Sequence, residues 1–169
     1  MDASSGADGE AGVDGTEGAD GVGVRRAVDA LEVADLVGGP DAFVRLVDDF
    51  YGRVEADPLL RPLYPEDLGP GKRHLALFLA QYFGAGPVYE VERGHPRLRM
   101  RHAPFPIPPE RALAWAEHMA AAVRSQRFPP EAESVILSYV ARATPSLVNA
   151  LPIEVAGDGA GVEGPTLTP

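Results

Sequence analysis

The stretch RGHPRLRMRHAPF, residues 93–105, holds four arginines, two histidines and two prolines within thirteen residues. The chain as a whole carries a formal net charge of −10, so this basic segment departs from its overall balance. His102 follows Leu98 by four residues, about one helical turn, and precedes the apolar residues 103–105. The pattern predicts a short helix that ends at an imidazole and carries arginines around it.

Two interpretations of this segment are open from its residues alone. It is a solvated basic face that closes a helix C-terminus, where positive charge is favourable. Alternatively, His102 is an imidazole ligand beneath a haem, and the neighbouring arginines meet an anionic group such as a propionate. The second histidine, His95, is followed by Pro96, which indicates a structural position at a helix start.

Helical periodicity flanks the segment on both sides. The apolar residues fall at i, i+3, i+4, i+7 and i+8 before it, and at similar intervals after it, whereas no strand-like alternation or repeat occurs. We therefore predict an all-α protein of about four main helices. We expect Thr144-Pro145 to kink the last helix, because proline lacks an N–H donor. The stripes are Phe43, Val44, Val47, Phe50, Tyr51 and Val54; Leu75, Phe78, Leu79, Tyr82 and Phe83; Ala112, Trp115, Ala116, Met119 and Val123; and Val135, Ile136, Tyr139, Val140, Leu147 and Val148.

Both ends of the chain have a composition that opposes folding. Residues 1–24 contain seven glycines, six acids and no base, and residues 152–169 contain four glycines, three prolines and three acids. Because such segments bury little apolar surface, we predict disordered tails over residues 1–26 and 152–169 around one domain, residues 27–151. Between residues 25 and 151, 15 bases stand against 16 acids, so the domain is nearly neutral and the excess acid lies mainly in the tails. Acidic tails argue against a nucleic-acid partner.

Several classes of function lack their sequence signals. The chain has no cysteine, which excludes disulfides, thiolate metal sites and cysteine nucleophiles. It has no apolar run of membrane-spanning length and no secretory signal at its N-terminus, so we expect a cytoplasmic protein. We find no glycine-rich phosphate loop, paired-carboxylate motif or zinc-binding spacing, so catalysis by side chains alone is not supported.

Three aromatic residues on different segments carry a polar hydrogen. Tyr51, Tyr64 and Trp115 each need a hydrogen-bond partner when buried, whereas a buried phenylalanine needs only packing. Three such donors directed inward in one small domain favour a small polar ligand between them, such as dioxygen.

Four blocks of the chain together resemble the group II truncated haemoglobins. They are FYGRVEADPLLRPLYPEDL (residues 50–68), LALFLAQYFGAGPVYEVERGHPRLRMRHAPFPI (75–107), AWAEHM (114–119) and SLVN (146–149). The resemblance runs from about residue 31 to residue 149, and residues 94–105 are its most specific part. It implies a truncated globin, a two-over-two helical sandwich that encloses haem b.

The same resemblance implies a role for individual residues. His102 matches the proximal ligand of the haem iron. The distal side, where ligands bind, is implied to contain Tyr51, Tyr64 and Trp115 as donors, with Gly71 at the usual position of the distal histidine. Further implied contacts are Leu75 on the distal side; Phe50, Phe78, Leu79, Met100 and Phe105 around the haem; Arg99 and Arg101 toward the propionates; and His74 near the propionates or as a sixth iron ligand.

The implied function is the binding of dioxygen, and of carbon monoxide or nitric oxide, for oxygen transport or storage. We expect tight binding and slow release. One alternative is a haem-dependent redox enzyme, with nitric oxide dioxygenation or peroxidase-like turnover of peroxide. It would need an external reductase, because the chain has no flavin or nicotinamide motif. Another alternative is a haem-free helical interaction module. The sequence leaves a homo-oligomer open.

Overall fold

The computed structural model describes residues 28–153. The tail predicted over residues 1–26 lies outside this range, and so do residues 154–169 of the tail predicted from residue 152. Over residues 28–153 the chain is helical and forms no strand, which confirms the all-α class. The α-helices are α1 (Val33–Leu36), α2 (Pro40–Ala56), α3 (Gly69–Tyr82), α4 (Val88–Arg93), α5 (Leu98–His102), α6 (Pro109–Ser125) and α7 (Pro130–Ala143), and 3-10 turns occupy Ala30–Glu32, Arg61–Leu63 and Thr144–Leu147.

The four long helices form two packed pairs. Helix α2 packs against α3, α6 packs against α7, and α2 also packs against α6, which gives the predicted two-over-two arrangement. Phe43 and Leu46 of α2, Met119 of α6 and Ile136 of α7 are fully buried in the core. Burial of each such side chain stabilises the fold by about 1.5–3 kcal/mol. Burial of the apolar stripes therefore drives the packing of the helix pairs.

The sequence-based predictions differ from the structure at several local points. Val44 is 48 % exposed although we placed it on the α2 stripe, because it is one residue, about 100° around the helix, from the buried Phe43. Helix α4 forms outside the four predicted apolar stripes. Helix α5 begins at Leu98 rather than at His95, whose Nδ1 instead accepts a hydrogen bond from the backbone N–H of Arg97 at 3.3 Å.

Pro145 changes the type of the last helix rather than bending it. Helix α7 ends at Ala143, and the chain continues as a 3-10 turn over Thr144–Leu147. The ring of Pro145 has no N–H to donate to the previous turn, so the α-helical hydrogen bonds stop there. The Thr144 hydroxyl donates to the carbonyl of Val140 at 2.7 Å, which ties the turn to the helix.

The segment before α2 docks onto the end of α3 at a glycine. The backbone N–H of Ala34 donates to the carbonyl of Phe83 at 2.8 Å. Gly84 has φ +105°, and a Cβ there would lie 1.9 Å from the carbonyl oxygen of Leu31. Only glycine permits this conformation and this close approach, so it fixes how the N-terminal segment covers the helix end.

A histidine–carboxylate contact holds α6 against the end of α2. His118 Nε2 lies 2.6 Å from Asp57 Oδ2, and the other carboxylate oxygen of Asp57 accepts from the N–H groups of Leu59 and Leu60. The hydrogen bond with His118 holds the pKa of Asp57 below its usual value. The contact therefore fixes the position of helix α6, which carries Trp115, relative to helix α2, which carries Tyr51.

Among the described residues, no helix is long and apolar enough to cross a membrane.

Candidate functional site

The packed helices enclose a cavity of about 800 Å³. This volume lies within the range of about 300–1,000 Å³ that is typical of sites for small molecules and cofactors. Apolar side chains make up most of its wall, as such sites require. They include Leu60, Leu63, Leu68, Leu75, Phe78, Leu79, Leu98, Phe105, Ile107, Val140 and Leu147.

His102 reaches this cavity from the last residue of α5, with its ring orientation fixed by the backbone. Its Nδ1 lies 2.7 Å from the carbonyl oxygen of Leu98, one turn earlier in the same helix. A carbonyl can only accept, so Nδ1 carries the hydrogen, and in the neutral ring Nε2 keeps its lone pair. His102 therefore presents the cavity with a nitrogen able to bind a metal, in the tautomer that its hydrogen bond selects.

The loop that follows His102 is clamped by a side chain from the far end of the domain. The amide nitrogen of Asn149 donates to the carbonyls of His102 and Phe105, at 3.2 and 3.0 Å. Its amide oxygen accepts from the backbone N–H of Ile107 at 2.8 Å. These three hydrogen bonds hold the loop after α5 against the segment that follows α7.

A cluster of three polar aromatic side chains lines another part of the cavity. The rings of Tyr51 and Tyr64 meet edge to face, with centroids 5.6 Å apart, and the Trp115 side chain is hydrogen-bonded to Tyr64. Phe50 is fully buried behind them, 5.4 Å from the ring of Tyr51 and 5.1 Å from that of Trp115. The structure thus brings together three donors that lie far apart in the sequence.

Both phenols of this cluster are protonated at neutral pH. Burial raises the pKa of Tyr51 to about 12. Burial raises the pKa of Tyr64 further, with a contribution from Tyr51, and the hydrogen bond from Trp115 offsets part of that rise. Tyr51 and Tyr64 therefore retain the O–H groups that a donor to a small ligand needs.

The charged residues of the cavity wall all carry the same sign. Five arginines line the cavity, and no aspartate or glutamate does so among the residues that the structure describes. The Nε atoms of Arg93 and Arg111 are buried without a hydrogen-bond partner. Such a group costs about 1–3 kcal/mol when left unpaired, and the positive charge around it favours an acceptor that is anionic. The five are Arg93, Arg97, Arg99, Arg101 and Arg111.

Comparison with known proteins agrees with this geometry. The model of the bacterial-like globin family matches residues 32–149, more than half of the chain. The haemoglobin of Chloroflexus aurantiacus is 53 % identical over 69 % of this chain and 97 % of its own, with a TM-score of 0.68. The group II truncated haemoglobin of Bacillus anthracis is 34 % identical over 73 % of this chain and 95 % of its own, with a TM-score of 0.69.

The chain belongs to the bacterial-like globins, as a group II truncated haemoglobin.

A curated relative of this globin supports the same grouping over a shorter range. The group 2 truncated haemoglobin YjbI of Bacillus subtilis is 51 % identical over 81 residues, which are 48 % of this chain and 61 % of that protein. The matched region spans about half to three fifths of the length of this relative and of two similar plant proteins.

Most side chains expected around the haem line the cavity of this globin. Met100 lies at its edge and is 67 % exposed. Phe50 is not part of the wall but supports Tyr51 and Trp115 from behind. The Arg101 guanidinium donates to the carbonyls of Pro96 and Arg93, at 2.9 and 3.2 Å, and so braces the start of α5. The remaining expected residues, Gly71, His74, Leu75, Phe78, Leu79, Arg99 and Phe105, all line it.

His74 of the globin lies among charged neighbours at the cavity wall. Its Nε2 is 3.7 Å from Glu92 Oε1, and Glu92 is also hydrogen-bonded to Arg73. Burial lowers the pKa of His74, and the positive charge of Arg93 lowers it further. The imidazole is therefore neutral at pH 7, so it attracts an acidic group only weakly.

Sequence reasoning missed several residues of the site. Arg93 lies in the basic segment of residues 93–105, but we did not single it out as a site residue. Tyr139 was expected only as a core residue. Arg111, Tyr89 and Asn149 have no local signal, because their roles arise from contacts with residues distant along the chain.

The described residues fit the haem that the globin family implies. A haem needs a metal-binding nitrogen, an apolar wall and partners for two propionates. His102 Nε2 satisfies the first need, and Leu75, Phe78 and Leu79 of α3 satisfy the second. The unpaired Nε atoms of Arg93 and Arg111 satisfy the third.

Gly71 provides the space that the Tyr51 hydroxyl occupies, and this contact can be tested. A Cβ at position 71 would lie 2.6 Å from Tyr51 Oη. Tyr51 is only 5 % exposed and cannot retreat freely. Gly71→Ala should therefore lower the free energy of unfolding by about 1–3 kcal/mol, the usual cost of overpacking. Denaturant unfolding of the variant measures this loss.

Tyr51→Phe supplies the control, because it removes the clashing oxygen and keeps the ring. In the Tyr51→Phe background, Gly71→Ala should leave the free energy of unfolding unchanged or raise it by up to about 1 kcal/mol. The reason is that alanine is more favourable than glycine inside a helix. Equal effects in the two backgrounds would show that the clash does not exist.

Proposed function

We propose that this globin holds haem b in the cavity through His102 and binds dioxygen beside Tyr51, Tyr64 and Trp115. The observation that carries the proposal is the His102–Leu98 hydrogen bond, which leaves a metal-binding lone pair on Nε2 at the cavity wall. Haem bound here would supply an iron centre able to bind a diatomic ligand, with His102 as the protein ligand.

His102 and its partners hold the group and set its orientation. The carbonyl of Leu98 accepts a hydrogen bond from Nδ1–H, and this makes Nε2 a better electron donor. Asn149 fixes the loop after His102. The imidazole is therefore held by the Leu98 carbonyl in the turn before it and by a fixed backbone after it. The clamp reduces the freedom that His102 would lose on binding a metal, which favours tight binding.

The arginines meet the acidic edge of the group. Arg93 and Arg111 have the buried unpaired Nε atoms, so they are the first candidates to pair with propionates. Arg99 also lines the cavity and adds positive charge. Pairing would remove the cost of the unpaired donors, so binding an acidic group stabilises the fold as well.

The three polar aromatic side chains retain the small ligand. Tyr51 and Tyr64 carry O–H groups, and the hydrogen bond from Trp115 polarises the Tyr64 hydroxyl as a donor. A hydrogen bond to a partly negative oxygen contributes about 1–2 kcal/mol. Two or three such bonds slow the escape of dioxygen, which suits storage or retention better than rapid delivery.

A haem-free interaction module fits the structure less well. Without a bound group, Leu75, Phe78 and Leu79 would leave apolar surface of the cavity in contact with water. Each Å² of that surface costs about 25 cal/mol of free energy relative to burial. Arg93 and Arg111 would keep unpaired buried donors. A group that is apolar in its middle and acidic at its edge removes both costs.

Replacement of His102 tests the proposed ligand. His102→Gly should lose the Soret absorption of the haem-loaded protein, because no other imidazole has its lone pair held at this point of the wall. Added imidazole should restore part of that absorption by entering the space left by the side chain. Absorption spectra of the purified variants measure both effects.

His95→Gly is the matched control, since it removes an exposed imidazole from the same basic segment. It should keep the Soret absorption. Full haem binding by His102→Gly without imidazole would contradict the proposed role.

Replacement of Trp115 tests the retention of dioxygen. Trp115→Phe keeps an aromatic ring but removes the N–H that is bonded to Tyr64. The loss of about 1–2 kcal/mol should raise the rate of dioxygen release by about 5–30-fold. Stopped-flow displacement of dioxygen by carbon monoxide measures the rate.

Tyr139→Phe is the control, because it removes a hydroxyl elsewhere in the same cavity. It should change the release rate much less. An unchanged rate in Trp115→Phe would show that the donor cluster does not retain the ligand.

A further inference from the structure

Every tyrosine of the chain lines the same cavity. The chain has five tyrosines, and the cavity wall contains all of them. Tyr51 and Tyr64 belong to the donor cluster of the proposed function. That function gives no role to the other three, Tyr82, Tyr89 and Tyr139.

These three tyrosines surround one phenylalanine of α3. The Phe78 ring centroid lies 5.8 Å from that of Tyr89, 6.1 Å from that of Tyr82 and 6.5 Å from that of Tyr139. The closest pair is Tyr82 and Tyr139, with centroids 4.1 Å apart. Together the four rings form a connected aromatic path along the cavity wall.

The path reaches solvent at one tyrosine. Tyr82 is 38 % exposed, whereas Tyr51 and Tyr89 are each 5 % exposed and Tyr64 and Tyr139 are partly buried. Tyr82 is the last residue of α3, immediately before the buried Phe83. It is therefore both part of the cavity wall and accessible to a second molecule.

Haem proteins carry out radical chemistry when an oxidant meets the bound group. Hydrogen peroxide accepts two electrons and two protons, its O–O bond breaks, and two water molecules form. A tyrosine supplies one electron and one proton, the proton coming from its phenol. An exposed phenol releases that proton directly to water, which favours Tyr82 over the buried tyrosines.

We propose that Tyr82 is the exit for oxidising equivalents when the haem-loaded protein reacts with hydrogen peroxide, and that two copies then join covalently through it. The inference rests on the proposed haem binding. Two molecules each lose one hydrogen from Tyr82, a carbon–carbon bond forms between the two rings, and both phenols are restored. The sum is hydrogen peroxide plus two tyrosines giving two waters and one dityrosine.

The composition of the chain makes this product easy to identify. The chain contains no cysteine, so a covalent dimer cannot be a disulfide. Methionine oxidation gives a sulfoxide and joins no chains. A dimer that survives denaturant and reductant therefore reports on cross-linking of other side chains, and dityrosine is recognised by its fluorescence.

The experiment adds hydrogen peroxide to the haem-loaded full-length protein and follows the product by denaturing electrophoresis and dityrosine fluorescence. The carbon monoxide spectrum of the same sample is recorded first, to show that haem is bound. Wild type should form a fluorescent covalent dimer, and Tyr82→Phe should lose it while keeping the spectrum. Mass-spectrometric sequencing of the cross-linked peptide of residues 74–93 should place the bond at Tyr82.

Tyr89→Phe is the matched control, because it removes a buried hydroxyl from the same aromatic path and the same peptide. It should still form the dimer, and peroxide without haem should form none. A haem-loaded wild type that stays monomeric, or a Tyr82→Phe variant that dimerises as wild type does, would overturn the inference alone. A chain that takes up no haem would overturn the proposed function first, and the spectrum separates the two failures.

Discussion

The hydrogen bond between His102 Nδ1 and the carbonyl of Leu98 is the constraint on which the site depends. It selects one tautomer of a flexible ring and leaves the other nitrogen at the cavity wall. Helix α5 is only five residues long, so it has little stability of its own. The bonds of Asn149 to the loop after it, and of Arg101 to the backbone before it, hold this short helix in place.

Charge is distributed over the globin in a way that the net charge conceals. The chain is acidic overall, yet the cavity wall carries five arginines and, within the described residues, no acid. Four arginines of the basic segment, residues 93–105, therefore line the cavity, where their positive charge favours an acidic group. The part of the wall that holds Tyr51 and Tyr64 is neutral and rich in donors, because burial keeps both phenols protonated. One cavity thus combines a positively charged region with a region of neutral hydrogen-bond donors.

The sequence predicts the long helices and the position of His102, because both rest on local patterns. Apolar spacing predicts α2, α3, α6 and α7, and the Leu98–His102 spacing predicts a short helix that ends at the imidazole. Periodicity did not predict α4, which has only six residues, or the 3-10 turn at Pro145. The roles of Arg111 and Asn149 could not be predicted, since they depend on contacts across the fold. The chemistry of Tyr51, Tyr64 and Trp115 indicated three inward donors, the family resemblance implied their distal role, and the structure brings the three side chains together.

The binding of haem in this cavity is best tested by titrating haem into the apoprotein. We expect a Soret band that grows until one haem is bound per chain and shifts when the sample is reduced and exposed to carbon monoxide, as for a histidine-ligated haem. Circular dichroism of the same sample shows whether the helices are formed. A fully helical protein that develops no Soret band on addition of haem would show that the cavity does not hold this group.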